Sequence, residues 1–192
     1  MTVPFVVTEK DGRDFQYDIF SLLLKERIVF ISGPIDDMNA NIVVGELLYL
    51  ASMDSFKEIS IYINSPGGSV SAGMAIYDTI RYIKAPVHTI GVGFVASTAS
   101  ILLASGDRRS VLPHTKVMIH QPILNGGMDC KETDITILAK ELSSNRRTIA
   151  EILARHTNKS VKRIEKDIEN DKYMNAEEAL EYGISDNIIE IK

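Results

Sequence analysis

The sequence contains one cysteine, Cys130, and no tryptophan. A lone cysteine excludes an intrachain disulfide and a multi-cysteine zinc site, and it fits a reducing compartment. The four histidines, His88, His114, His120 and His156, show no metal-ligand spacing, so no metal and no other cofactor is expected. Cationic charge is also in short supply. Lys and Arg total 21 against 26 Asp and Glu, a formal net charge of −5. That balance argues against nucleic acid or an anionic membrane as the main partner. The cluster Asp107-Arg108-Arg109 reads as solvated surface. The N-terminus has no basic segment followed by a long apolar one, so no signal peptide is read there. The longest uncharged run, Ala85 to Gly106, is long enough to span a bilayer, but its Gly, Ser and Thr content marks a buried core segment. The chain reads as a soluble cytoplasmic protein, without internal repeats or low-complexity stretches.

What is present is ordinary for a globular domain: 192 residues, 45% hydrophobic and 24% charged. Residues 1–16 are polar and read as an arm or a short hairpin about Asp11-Gly12-Arg13-Asp14; residues 17–192 read as one α/β domain. Helical patterns cover 17–25, 37–52, 70–83 and 97–104, a long stretch from Thr133 to His156, then Ser160 to about Asn170 and Ala176–Tyr182. Strands are read at 27–32, 58–63, 87–93, 109–112, 116–119 and 184–191. Strands alternating with helices at this spacing indicate a largely parallel sheet. The long helix is too long to cap a small domain, so it projects toward another subunit.

Three features could carry chemistry. Ser97 sits where an apolar strand turns into an apolar helix, a bend that can aim a hydroxyl and the free N–H groups of a helix start at one cleft. Most serines at helix starts merely cap, so this stretch alone decides little. His120 ends the apolar strand Val117-Met118-Ile119, where a ring can serve as general base or simply satisfy a neighbouring carbonyl. Gly67-Gly68 follows a strand, and glycine lets backbone N–H groups approach a substrate closely; a plain tight turn has the same composition. A carboxylate to orient the imidazole could be Glu165, Asp167, Glu169 or Asp171, and spacing does not choose among them.

Ile63-Asn64-Ser65-Pro66-Gly67-Gly68-Ser69-Val70, Ala96-Ser97 and Met118-Ile119-His120-Gln121-Pro122 closely resemble the proteolytic subunit of the Clp protease. Gly33-Pro34-Ile35-Asp36-Asp37 and the segment from Ala176 to Gly183 extend the likeness, which covers roughly 14–189. The resemblance implies a crotonase-like ββα superhelix with a projecting handle, here about 123–156. It implies a serine endopeptidase of stacked heptameric rings that degrades unfolded polypeptide to short peptides inside a chamber, fed by a hexameric AAA+ unfoldase ATPase. Ser97 would be nucleophile, His120 base and Asp171 acid, with the amides of Gly68 and Thr98 as oxyanion hole. Gly126 and Gly127 would align substrate, and Leu48, Tyr62 and Tyr82 would line the ATPase-docking pocket.

This chain departs from the family pattern at Thr98-Ala99, where Met-Gly is usual, at Ser60, commonly aromatic, and at Asn170, usually an arginine. Two residues are missing around Gly106-Asp107 and two are added near 123–131. These departures point to a divergent paralogue, a weakly active or structural ring subunit that requires a sister subunit. A CoA-dependent hydratase or isomerase of the related crotonase superfamily is a rival reading, but it has no role for a Ser–His pair.

Overall fold

The computed structural model describes residues 3–124 and 131–190. Strands β1 (Phe5–Lys10) and β2 (Arg13–Asp18) form an antiparallel hairpin separate from the main sheet. Its turn residues Asp11 and Gly12 both lie at positive φ, 52° and 70°, the shape a two-residue hairpin turn requires. The hairpin is less polar than its composition suggests, because Phe5, Val7 and Phe15 are exposed on it. Asp18 then caps α1 (Ile19–Lys25) by accepting from the Ser21 N–H at 3.0 Å.

The domain proper alternates β3 (Ile28–Ser32), α2 (Asp37–Met53), β4 (Ile59–Ser65), α3 (Val70–Tyr82), β5 (Val87–Ala96), α4 (Thr98–Ala104), β6 (Arg108–Val111) and β7 (Lys116–Ile119). After these come α5 (Glu132–Thr157), α6 (Val161–Asp167), β8 (Lys172–Met174), α7 (Ala176–Tyr182) and β9 (Asn187–Ile188). The sheet runs β3-β4-β5-β6-β9 in parallel. Strand β5 is the hinge of the architecture. Its first half, His88 to Gly91, pairs with β6, and its last residues, Phe94 to Ala96, pair with β7. The change of partner falls at Gly93, whose φ is +66°, opposite an irregularity in β4 that Asn64 bridges by accepting from the Phe94 N–H at 3.2 Å.

Alternation on β4 puts Ile59, Ile61 and Ile63 in the core beside Leu47 and Leu50 of α2 and Ile76 and Ile80 of α3. Each such side chain contributes about 1.5–3 kcal/mol by leaving water. Every residue of α4 is buried, which seats the helix that follows Ser97 in the middle of the protein. Helix α5 behaves differently along its length. Ile149, Ile152 and Leu153 are buried, whereas Ile135 and Ile137 near its start are exposed, so its N-terminal half projects from the domain.

Three readings of the sequence are corrected here. Arg109 is not solvated surface: its side chain is 15% exposed and donates to the carbonyls of His156 and Gly183, both at 2.8 Å, and to Asp186. Helix α6 stops at Asp167 rather than near Asn170, because the carbonyls of Ile168 and Glu169 are taken by the backbone and side chain of Gln121 (2.7 and 3.0 Å). The last strand is only Asn187–Ile188, since Ile184 and Ser185 fold back onto the Ala179 carbonyl to close α7.

Among the described residues no helix is long and apolar enough to cross a membrane.

Candidate active site

Ser97 lies between β5 and α4 with φ 56° and ψ −126°, a region that costs a non-glycine residue about 1–3 kcal/mol. The surrounding bonds hold it there. Its N–H donates to the Met118 carbonyl at 2.9 Å, and its own carbonyl accepts from the N–H (3.0 Å) and the hydroxyl (2.6 Å) of Ser100. Ser97 makes no side-chain capping bond, so the role most serines play at helix starts is not the one seen here. The hydroxyl is instead 2.8 Å from His120 Nε2.

The meeting of Ser97 and His120 follows from register. Ala96 is opposite Met118 in the parallel β5–β7 pair, so the residues just beyond each strand end emerge side by side. On the other flank β7 pairs antiparallel with β8, Ile119 opposite Lys172, which puts Asp171 across from His120. Asp171 Oδ1 stands 3.6 Å from His120 Nδ1. That is within ion-pair reach and beyond a good N–H···O bond. The Asp171 side chain is 55% exposed and that of His120 13%, so solvent screens the pair from one side.

The competing carboxylate of Asp167 is engaged elsewhere. Asp167 accepts from Arg163 Nε and from the Tyr182 hydroxyl, both at 2.8 Å. Burial pushes the Asp167 carboxyl up, but those two hydrogen bonds outweigh it and hold the group below the usual carboxylate range. Burial, reinforced by Asp167, raises the Tyr182 phenol. Helix α6 ends before Asp171, so Asp167 and Asp171 do not share a helix face. Of Glu165, Asp167, Glu169 and Asp171, only Asp171 forms a charge pair with His120.

The loop between β4 and α3 closes the site. Ile35 N–H donates to the Gly67 carbonyl at 2.9 Å, and the Ser69 N–H donates to the Ile35 carbonyl at 2.8 Å. In a trans peptide the C=O and N–H point oppositely, so tying the Gly67 carbonyl to Ile35 turns the Gly68 N–H away from it. Neither the Gly68 N–H nor the Thr98 N–H at the start of α4 has an acceptor among the described residues. Glycine is required at both loop positions. Gly67 has φ +88°, and a Cβ on it would lie 2.6 Å from Ser97 Cβ; a Cβ on Gly68 would lie 2.1 Å from the Ile35 carbonyl oxygen. Beside Ser97 and His120, an apolar hollow is lined by Val70, Ile101, Ile119, Pro122, Ile149 and Leu153.

Leu48 and Tyr82 line a shallow hollow between α2 and α3 with Ala51, Ser55 and Ile83. Tyr62 does not join them. It alternates out of β4 on the face opposite the buried Ile61 and stacks on Phe30, ring centres 5.6 Å apart. Gly126 and Gly127 lie outside the described residues. Sequence reasoning missed strand β8, the Ser100 contacts to Ser97, and the close approach of α3 to α4 at Gly73. A glycine inside a helical pattern was the available signal for the last. Among the described residues no group of three or more His, Cys, Asp or Glu side chains is placed to hold a metal ion.

A strained serine at a strand-to-helix turn is hydrogen-bonded to a histidine, beside two N–H groups without an acceptor among the described residues. The chain belongs to the Clp protease family, whose model, described as Clp protease, matches residues 11–192. Membership makes it a peptidase relative with the α/β fold shared by that family and the crotonases.

Proposed function

We propose that this chain is a serine endopeptidase subunit that cuts unfolded polypeptide by a Ser97–His120–Asp171 mechanism. The observation that carries the reading is the 2.8 Å contact between Ser97 Oγ and His120 Nε2 at a serine held in a strained backbone shape. Ser97 Oγ attacks the scissile carbonyl carbon as its proton passes to His120 Nε2. The oxygen that becomes negative is stabilised by the N–H groups of Gly68 and Thr98. Collapse expels the amine, which takes the proton from His120, and leaves an ester on Ser97. Water, deprotonated by His120, then hydrolyses the ester and returns the proton to Ser97. For Nε2 to accept, Nδ1 must carry the proton, and Asp171 is the carboxylate on that side.

Family membership supports assembly into rings with an AAA+ partner. In this reading the projecting half of α5 joins two heptameric rings, Gly126 and Gly127 align the substrate strand, and the ATPase docks at Leu48 and Tyr82. Because Tyr62 is on the other face of the sheet, it would complete that pocket from a neighbouring copy.

A second reading is favoured by one observation, the 3.6 Å separation and exposure of Asp171. It is a ring subunit that is weakly active alone and gains a closed triad only with a sister subunit or the ATPase.

Labelling with a fluorophosphonate probe, mapped by mass, tests both. The first reading expects modification of Ser97 in the isolated protein and none in His120→Ala. The second expects only slow modification of the isolated protein and a marked rise once a partner is added. No labelling under either condition overturns both.

A further inference from the structure

Two N–H groups on different elements must be held at a fixed separation if they are to face one oxyanion. Gly68 is in the loop after β4, and Thr98 opens α4. Ile35 holds the loop from the outer side, through Gly67 and Ser69. On the inner side, the Gly68 carbonyl accepts from the Thr98 hydroxyl at 3.2 Å. The Ser69 N–H in the same peptide unit is tied to Ile35, so this plane is held at both ends.

The Thr98 hydroxyl is aimed by its own methyl group. Both sit on a β-carbon with few allowed rotamers, so fixing one fixes the other. Thr98 is 2% exposed, and its Cγ2 occupies the space a side chain would take on Gly73. A Cβ built at Gly73 would lie 1.9 Å from that methyl. The absent side chain on α3 is thus the socket for the methyl, and the hydroxyl is left facing Gly68.

We propose that the Thr98 side chain is a positioning group for the oxyanion hole, setting the distance between the Gly68 and Thr98 N–H groups through its bond to the Gly68 carbonyl. This rests on the serine peptidase reading of the same site. The hydroxyl touches no reacting atom. Its effect falls on the transition state, where the donors must meet the new charge, and little on substrate capture.

The test is hydrolysis of a short fluorogenic peptide and the rate of fluorophosphonate labelling by the full chain, with folding checked by circular dichroism. Thr98→Val removes the hydroxyl at nearly constant shape. It is expected to lower kcat about tenfold with KM unchanged, less than loss of a direct donor costs. Thr98→Ser keeps the hydroxyl and is expected to stay within about threefold of the parent. If Thr98→Val does not fold, two double variants decide. Gly73→Ala/Thr98→Ala fills the socket from the other side without a hydroxyl, and Gly73→Ala/Thr98→Ser fills it with one. The serine version is expected to be about tenfold faster. Equal kcat for parent and Thr98→Val, or for the two double variants, overturns the inference while parent labelling at Ser97 leaves the peptidase reading standing. A fall confined to KM also overturns it. A parent that is never labelled overturns the reading and the inference together.

Discussion

The two flanks of His120 are built to different standards. On the serine side, Ser97 is held by bonds from Met118 and Ser100, stands over the wholly buried α4, and is pressed by a glycine loop that tolerates no side chain. On the acid side, Asp171 precedes a three-residue strand, is half exposed, and stands 3.6 Å from the imidazole. Strain can be stored only where the surroundings over-determine the backbone, so Ser97 belongs to the core. A carboxylate beside a short edge strand can move at little cost. The difference teaches that the proposed nucleophile is held in place by the fold of this chain, whereas the proposed acid is the element that assembly would tighten.

The largest effect expected from breaking the strong side is that of Ser97→Ala. Peptide hydrolysis should fall by roughly 10³-fold or more, while thermal stability changes little, because alanine keeps the Cβ and the same positive φ and only the hydrogen bond to His120 is lost. Peptidase assay and calorimetry read the two separately.

The support under the serine side is expected to weaken in acid. Leu153 of α5 lines the hollow beside Ser97, and the C-terminal end of the same helix is anchored by His156, whose Nε2 is 3.0 Å from the Tyr77 hydroxyl. Burial, with Arg81, Arg109 and Arg155 nearby and only Asp107 opposing, pushes the His156 imidazole down to about 4. Below the unfolded value of about 6.5 the unfolded chain takes up a proton that the native state refuses, so stability is complete above that pH and is lost as pH falls toward 4. Solvent reaches part of the ring and screens its charge, so the loss is on the order of 1–2 kcal/mol. Denaturant unfolding at pH 7 and pH 4.5 should show it, and His156→Gln should flatten the slope.

On the weak side, Asp171→Asn is expected to reduce kcat only about 10–100-fold, less than the same change at a buried, closely bonded acid. A loss as large as that of Ser97→Ala would mean that the acid closes on His120 in the working enzyme.

The smallest effect sharpens the choice of acid. Asp167→Asn should cost roughly 1–2 kcal/mol of stability, through the weakened Arg163 and Tyr182 bonds, and leave kcat unaltered. A fall in kcat with Asp171→Asn silent would reverse the assignment of Asp167 and Asp171.

Much of this was legible in the chain itself. Hydrophobic alternation in Ile59-Ser60-Ile61-Tyr62-Ile63, the caps at Asp36 and Asn175, and the glycine at 67 carry local information, because period, capping and positive φ are properties of neighbouring residues. They placed the helices, most strands and the Ser97 bend. The sequence by itself thus determined the α/β class and the long helix α5, and it offered Ser97 and His120 as candidates that only the family resemblance joined; their meeting follows from the β5–β7 register.

Tertiary structure alone decided the rest. Lys172-Tyr173-Met174 is too short and mixed to announce itself as a strand, and it forms one because β7 offers an edge to pair with. That pairing, and not spacing, separates Asp171 from Asp167. Arg109 looks like surface until β6 carries it under the ends of α5 and α7. Tyr62 parts from Leu48 and Tyr82 because alternation turns it to the face of β4 opposite the buried Ile61, whereas the other two sit on helices α2 and α3. Pairing partners and packing distances between remote segments depend on where the whole chain closes, and no local pattern encodes them.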